Sequence, residues 1–112
     1  MAGKFELKVS KNGKHFFNLL AGNGQIILSS EMYESKSAAE NGIASVQRNA
    51  GDDGRYNRLT SSGGDPYFTL EAGNGQVIGK SEMYNSASAM ENGIESVKNN
   101  APGATIVETQ AG

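Results

Sequence analysis

Residues 21–50 read AGNGQIILSSEMYESKSAAENGIASVQRNA and residues 72–101 read AGNGQVIGKSEMYNSASAMENGIESVKNNA; a gapless shift of 51 residues leaves 21 of 30 positions identical. The chain is one unit written twice. Toward the amino-terminal side the correspondence weakens but persists: Lys4-Phe5 faces Arg55-Tyr56, Ser10 faces Ser61, Gly13 faces Gly64, and Phe16-Phe17 faces Tyr67-Phe68. A copy of about fifty residues buries too little surface to stand alone, so the two should share one core. The expected organisation is a single domain over 1–112, with repeat one at 4–53, repeat two at 54–104 and a closing strand at 105–109.

Within each copy the first segment alternates. Phe5, Leu7 and Val9 point one way while Lys4, Glu6 and Lys8 point the other, the period of a half-buried strand. Asn12-Gly13 supplies a turn, His15 to Ala21 a second strand, and Asn23-Gly24 the signal of a type I′ hairpin leading into Gln25 to Ser30. Copy two repeats this as Arg55 to Thr60, a Gly63-Gly64-Asp65-Pro66 turn, Tyr67 to Ala72, Asn74-Gly75, and Gln76 to Ser81. A helix follows each meander, announced by Ser37-Ala-Ala-Glu40 and Ser88-Ala-Met-Glu91, both of the S-x-x-E form that caps helix amides reciprocally. Ala39, Ile43, Val46 and Ala50 form one apolar stripe, repeated by Met90, Ile94, Val97 and Ala101. Gly42 and Gly93 each cost roughly 1 kcal/mol inside a helix, which a close approach of helix to sheet would offset. With a last strand at Thr105 to Thr109 the order is βββα, βββα, β. The fold class is α+β: a single, mainly antiparallel sheet with two helices on one face and internal pseudo-twofold symmetry.

Two positions break the duplication. Arg58 stands where Leu7 does, on the side expected to be buried, so either the strand shifts or the guanidinium escapes at an edge. Gly79 replaces Leu28, which marks a bulge or a close contact. In the third strand Ile26 and Ile27 claim both faces.

Composition narrows the chemistry. Of 112 residues 37% are apolar and 15 are glycine, so the core is thin. No window approaches the ~18 apolar residues of a membrane span, and the start lacks the pattern of a secretion signal, so a soluble cytoplasmic protein without membrane partners is expected. With no cysteine and a single histidine, His15, thiol chemistry and cysteine zinc sites are excluded and imidazole chemistry has little material. No cofactor or metal is expected. The net charge of -2 divides as +2 over residues 1–51 (6 - 4) and -4 over residues 52–112 (4 - 8). Lys4, Lys8, Lys11 and Lys14 could join Arg55 and Arg58 in a basic patch, or simply keep a strand face solvated.

The stretch KFELKVSKNGKHFFNLLAGNGQIILSSEMY at 4–33, followed by SAAENGIASVQRNA at 37–50, resembles the YegP-like (UPF0339) family, small bacterial proteins built from tandem repeats of this size. The resemblance rests on Ala21, Asn23, Gly24 and Ile27, on Ser30 to Tyr33, and on Ala39 to Val46, and it covers nearly the whole chain. It implies a β(3)-α-β motif per repeat, terminal strands exchanged between repeats, and a monomer that mimics a dimer of single repeats. It implies no activity, because the family is uncharacterised and offers no catalytic residues to carry over.

Candidate sites are polar or exposed residues kept in both copies. Glu31 with Tyr33, and Glu82 with Tyr84, place a carboxylate and a phenol in the S-E-M-Y stretch; the competing reading makes Met32 and Tyr33 plugs between strand and helix, with Glu31 solvated. Asn41 and Asn92 would bond to a neighbouring strand or to a ligand. Gly22-Asn23-Gly24 opens no helix and carries no GK[ST], so it is a hairpin and not a phosphate loop. Asp52 and Asp53 read as turn residues. If Phe17 and Leu19 face the core, alternation sends Phe16, Asn18 and Leu20 to the open sheet face, with Tyr67, Thr69 and Glu71 from the second copy. The expected function is a non-enzymatic module binding an unknown protein or small ligand. The alternatives are a single-stranded nucleic-acid binder stacking bases on Phe16 and Tyr67, and an enzyme using the Glu/Tyr pairs.

Overall fold

A computed structural model describes residues 3–108. The meander of repeat one is β1 (Lys4–Val9), β2 (His15–Leu20) and β3 (Ile26–Ser29), followed by α1 (Lys36–Asn49) and a 3-10 turn at Asp53–Arg55. Repeat two supplies β4 (Tyr56–Thr60), β5 (Pro66–Glu71), β6 (Val77–Lys80) and α2 (Ala87–Asn100), and β7 (Thr105–Glu108) closes the chain. Thr109, read as the end of the closing strand, lies outside the described residues. The seven strands form one sheet in the order β4-β5-β6-β3-β2-β1-β7. Every pairing is antiparallel except that of β7 with β1. The two meanders meet where Ser29 of β3 lies opposite Lys80 of β6, on the pseudo-twofold axis. After α1 the chain enters β4, the first strand of the next meander. After α2 it crosses to the far edge, where Thr105 lies beside Lys4, so repeat two donates its closing strand to repeat one.

Both helices lie on one face and straddle the junction. α1 packs on β2 and reaches β5 and β6, while α2 packs on β5 and reaches β3. Their apolar stripes are buried with Phe5, Phe17, Leu19, Phe68 and Leu70 in one cluster that draws on both copies. The N-caps fall two residues earlier than the S-x-x-E reading placed them. Ser35 and Ser86 accept from the Ala38 and Ala89 amides, so Ser37 and Ser88 are already helical and Glu40 and Glu91 cap nothing.

The hairpins also differ from expectation. The Gly24 amide donates to the Ala21 carbonyl and the Ala21 amide to the Gln25 carbonyl, a three-residue loop closed by Gly24 at φ 86°. Among the described residues no non-glycine has positive φ, which rules out the type I′ turn that would need it at Asn23. Gly13, Gly64 and Gly75 end equivalent loops, so all four hairpins are built alike.

The irregular positions find separate solutions. A register shift between Leu19 and Leu20 lets Ile27 and Leu28 both enter the core, leaving Ile26 exposed. Val9, expected inside, is 38% exposed at the end of its strand. Arg58 does escape at the edge: its guanidinium bonds Glu91 of α2 (Nη2–Oε1 3.0 Å) and Asp53 of the inter-repeat turn (3.1 Å). Gly79 is a close contact, since a Cβ there would lie 2.6 Å from Cγ of Leu28 across the junction. Leu28 occupies the space that the missing side chain leaves.

Candidate functional site

The S-E-M-Y stretch is first of all a joint. Where β2 and β3 part, the Ser30 hydroxyl accepts from the Phe17 amide at 2.9 Å and donates to the Glu31 carbonyl at 2.7 Å; Ser81 does the same for Phe68 and Glu82. The Tyr33 amide and carbonyl then pair with His15 at the start of β2, while in copy two only the Tyr84 amide can bond, to the carbonyl of Pro66. Anchored this way, Tyr33 stacks on Phe17 (centroids 6.2 Å apart, 11° between planes) and Tyr84 on Phe68 (6.4 Å, 11°). Each phenol ends on a helix glycine: a Cβ on Gly42 would sit 2.5 Å from Tyr33 Oη, and one on Gly93 2.6 Å from Tyr84 Cζ. Tyr33 and Tyr84 thus plug the joint, but Met32 and Met83 do not; they are 55% and 47% exposed. Glu31 and Glu82 are exposed, and no hydrogen bond among the described residues joins either to its tyrosine. Burial, and then the nearby carboxylate, pushes both phenols above their ordinary range.

The open face is closed in part by its own side chains. One cross-strand row runs Asn57, Thr69, Lys80, Ser29, Asn18, Glu6 and Val107, so its middle is polar. Phe16 and Tyr67 flank the row and are half-buried, with the Lys80 ammonium 5.3 Å from the centroid of Tyr67. Thr69, expected outside, is buried at 8% exposure and its hydroxyl has no partner among the described residues. Leu20 lies on this face, yet it is 7% exposed because Lys4 and Ile26 flank it across the ladder and Gly3 presses on its carbonyl. It therefore cannot serve as an exposed contact. A joint basic patch is also excluded, since β1 and β4 lie at opposite ends of the sheet. Lys8 pairs with Glu6, Lys14 with Glu34, and Arg58 with acidic partners of its own.

What sequence reasoning missed is a groove of about 610 Å³ between α1 of one repeat and the β5–β6 hairpin of the other. Its floor is made by Ala38, Gly42, Ala72 and Ile78, small or apolar residues. Asn41 and Ser45 line the helix side, Asn74 and Gln76 the hairpin side, Tyr33 one end and Arg48 with Asn49 the other. Of the earlier candidates the groove gathers Tyr33 and Asn41; Glu31, Glu82, Tyr84 and the open-face residues are not part of its lining. Asn49 is engaged, donating to the Ser45 carbonyl at 2.8 Å and accepting from Arg55 Nε at 3.2 Å. The Asn74 side-chain carbonyl accepts from the Gln76 amide, which leaves its NH₂ for other work. Near Gly22, on the pseudo-symmetric side, a depression of about 240 Å³ has Lys4 and Thr105 in its wall. Among the described residues no cluster of three His, Asp or Glu could hold a metal, and no helix is long and apolar enough to cross a membrane.

Fold and joints define a class: a tandem-repeat α+β protein in which two βββα units complete one sheet and one core. The chain belongs to the family described as "Domain of unknown function (DUF1508)", which matches residues 10–57 and again 61–108. It is 60% identical over 112 residues to the UPF0339 protein of Bordetella pertussis, covering 99% of this chain and 100% of that one. To the UPF0339 protein YegP of Escherichia coli it is 50% identical over 106 residues, 95% of this chain and 96% of that one. The solution NMR structure of yegP from Escherichia coli, a protein of unknown function, superposes with a TM-score of 0.94 at 47% identity, over 100% of this chain and 97% of that chain. That of a UPF0339 protein from Shewanella oneidensis gives 0.92 at 46%, over 98% and 93%.

Proposed function

We propose that this chain is a non-enzymatic, cytoplasmic binding module, monomeric because it already contains both halves of its body, which holds a small ligand in the groove between α1 and the β5–β6 hairpin. The observation that carries this reading is the groove itself: about 610 Å³, lined by small and apolar residues together with carboxamides and hydroxyls. Such walls orient a polar ligand, and the lining holds no histidine, carboxylate or lysine that would activate the Ser45 hydroxyl as a nucleophile. Against catalysis at the S-E-M-Y stretch stand the raised phenols of Tyr33 and Tyr84, poor proton donors and poorer bases near neutrality. Against single-stranded nucleic acid stand the pairing of Lys8 and Lys14 with carboxylates and the half-burial of Phe16 and Tyr67.

The test is a small-molecule fragment library screened on the full chain by amide chemical shifts. Saturable shifts confined to residues 41–49 and 73–76 are expected. Hits that map instead to the strands bearing Phe16 and Tyr67 would move the site to the open sheet face and end the groove reading.

A further inference from the structure

We infer that the groove selects a small molecule bearing an anionic group, a carboxylate or a phosphate, which it receives at Arg48; the inference rests on the groove reading above. Among the described residues lining the groove there is one ionic side chain, the Arg48 guanidinium, and no carboxylate. Arg48 is exposed and makes no ion pair among the described residues; Lys4, Lys11 and Lys80 share that state, but none of them lines the groove. A cation left unpaired in a net-acidic protein, at one end of a polar groove, is the complement of an anionic ligand.

Arg55 reinforces that end. Its Nε donates to Asn49, and its guanidinium lies against Gly73, 3.5 Å from where a Cβ would stand. The Asp52 carboxylate, at 3.6 Å, neutralises Arg55 only in part. Asn49 thereby holds the second cation at the groove's end.

The duplication supplies an internal contrast. Tyr33, Asn41, Ser45, Gly73, Asn74 and Gln76 correspond to Tyr84, Asn92, Ser96, Gly22, Asn23 and Gln25, identical in type, whereas Arg48 corresponds to Asn99. The uncharged furniture is kept on both sides and the free guanidinium on one. The last carbonyls of α1 carry partial negative charge and repel an anion, so the guanidiniums must overcome that field as well as the ligand's desolvation.

The decisive experiment titrates the full chain with acetyl-trialanine bearing a free carboxylate, with the same peptide as its terminal amide, and with inorganic phosphate, following amide shifts and the Arg48 Nε–H. Saturable shifts at Ser45, Asn49 and Gly73 are expected with the carboxylate, the phosphate or both, weakening as salt rises. Which anion binds more tightly separates the two sources. Arg48→Gln, on the exposed face of the last helical turn, should weaken binding by about tenfold or more, the scale of a charge-assisted hydrogen bond, and Arg48→Lys should restore part of it. Equal shifts from the amidated peptide would overturn the anion and leave the groove. Silence in the groove with every probe would overturn both, and equal anion shifts around Asn99 would overturn the assignment to Arg48.

Discussion

Tyr33 against Gly42, and Tyr84 against Gly93, show how a costly residue becomes an asset. A helix glycine costs roughly 1 kcal/mol against alanine, but here the missing side chain is the seat of a phenol that also stacks on a core phenylalanine. Both residues stand out in the sequence, yet their contact does not, because it joins a loop to a helix. The signal that could have found it is the spacing, nine residues in each copy (42 - 33 and 93 - 84). Burial raises the phenols of Tyr33, Tyr84 and, most strongly, Tyr56, whose hydroxyl donates to the Ala50 carbonyl at 2.7 Å. Their folded pKa values exceed the unfolded value of about 10, so their contribution to stability is intact below about pH 10 and is lost as pH rises through the folded values. In an alkaline titration the tyrosinate absorbance of these three should therefore lag and then rise together with loss of near-ultraviolet circular dichroism. Early ionisation in a persistently folded protein would contradict their burial.

At the scale of elements, period and punctuation carried most of the information. The alternation of Phe5 and Leu7 and the stripe from Ala39 to Ala50 formed as their spacing requires, and glycine marked the four hairpins, though their three-residue loops are not the type I′ turn that Asn23-Gly24 announced. The helix start was misplaced because two serines compete, and the S-x-x-E pattern at Ser37 is more conspicuous than the serine two residues before it. Geometry decides for Ser35 and Ser86, whose backbones are extended while Ser37 and Ser88 are within the helix. Ser35→Ala and Ser86→Ala should each cost about 1 kcal/mol in chemical denaturation, and Ser37→Ala and Ser88→Ala close to nothing. The reverse order would restore the capping box. Strand faces were less legible, since Leu20 and Thr69 alternate outward as expected and yet are buried, which no period reveals.

At the scale of the molecule, the duplication made the shared sheet legible, whereas the groove was not: its walls come from residues near 45 and near 74, brought together only by the way each helix straddles the junction. The same straddling predicts that a chain ending near residue 51 keeps β2 but loses β5 and β6, the other strands that α1 covers. It should be unfolded or self-associated in dilute solution, as judged by circular dichroism and sedimentation; a folded, strictly monomeric fragment would refute the common core. A last consequence concerns Leu28 and Gly79. They meet across the axis, one isobutyl group filling one vacancy. Two leucines would compete for a single volume and two glycines would leave it empty, so recombination that copied either half over the other should yield a less stable chain, by about 1–5 kcal/mol. At this one letter the two texts have drifted apart to mutual advantage.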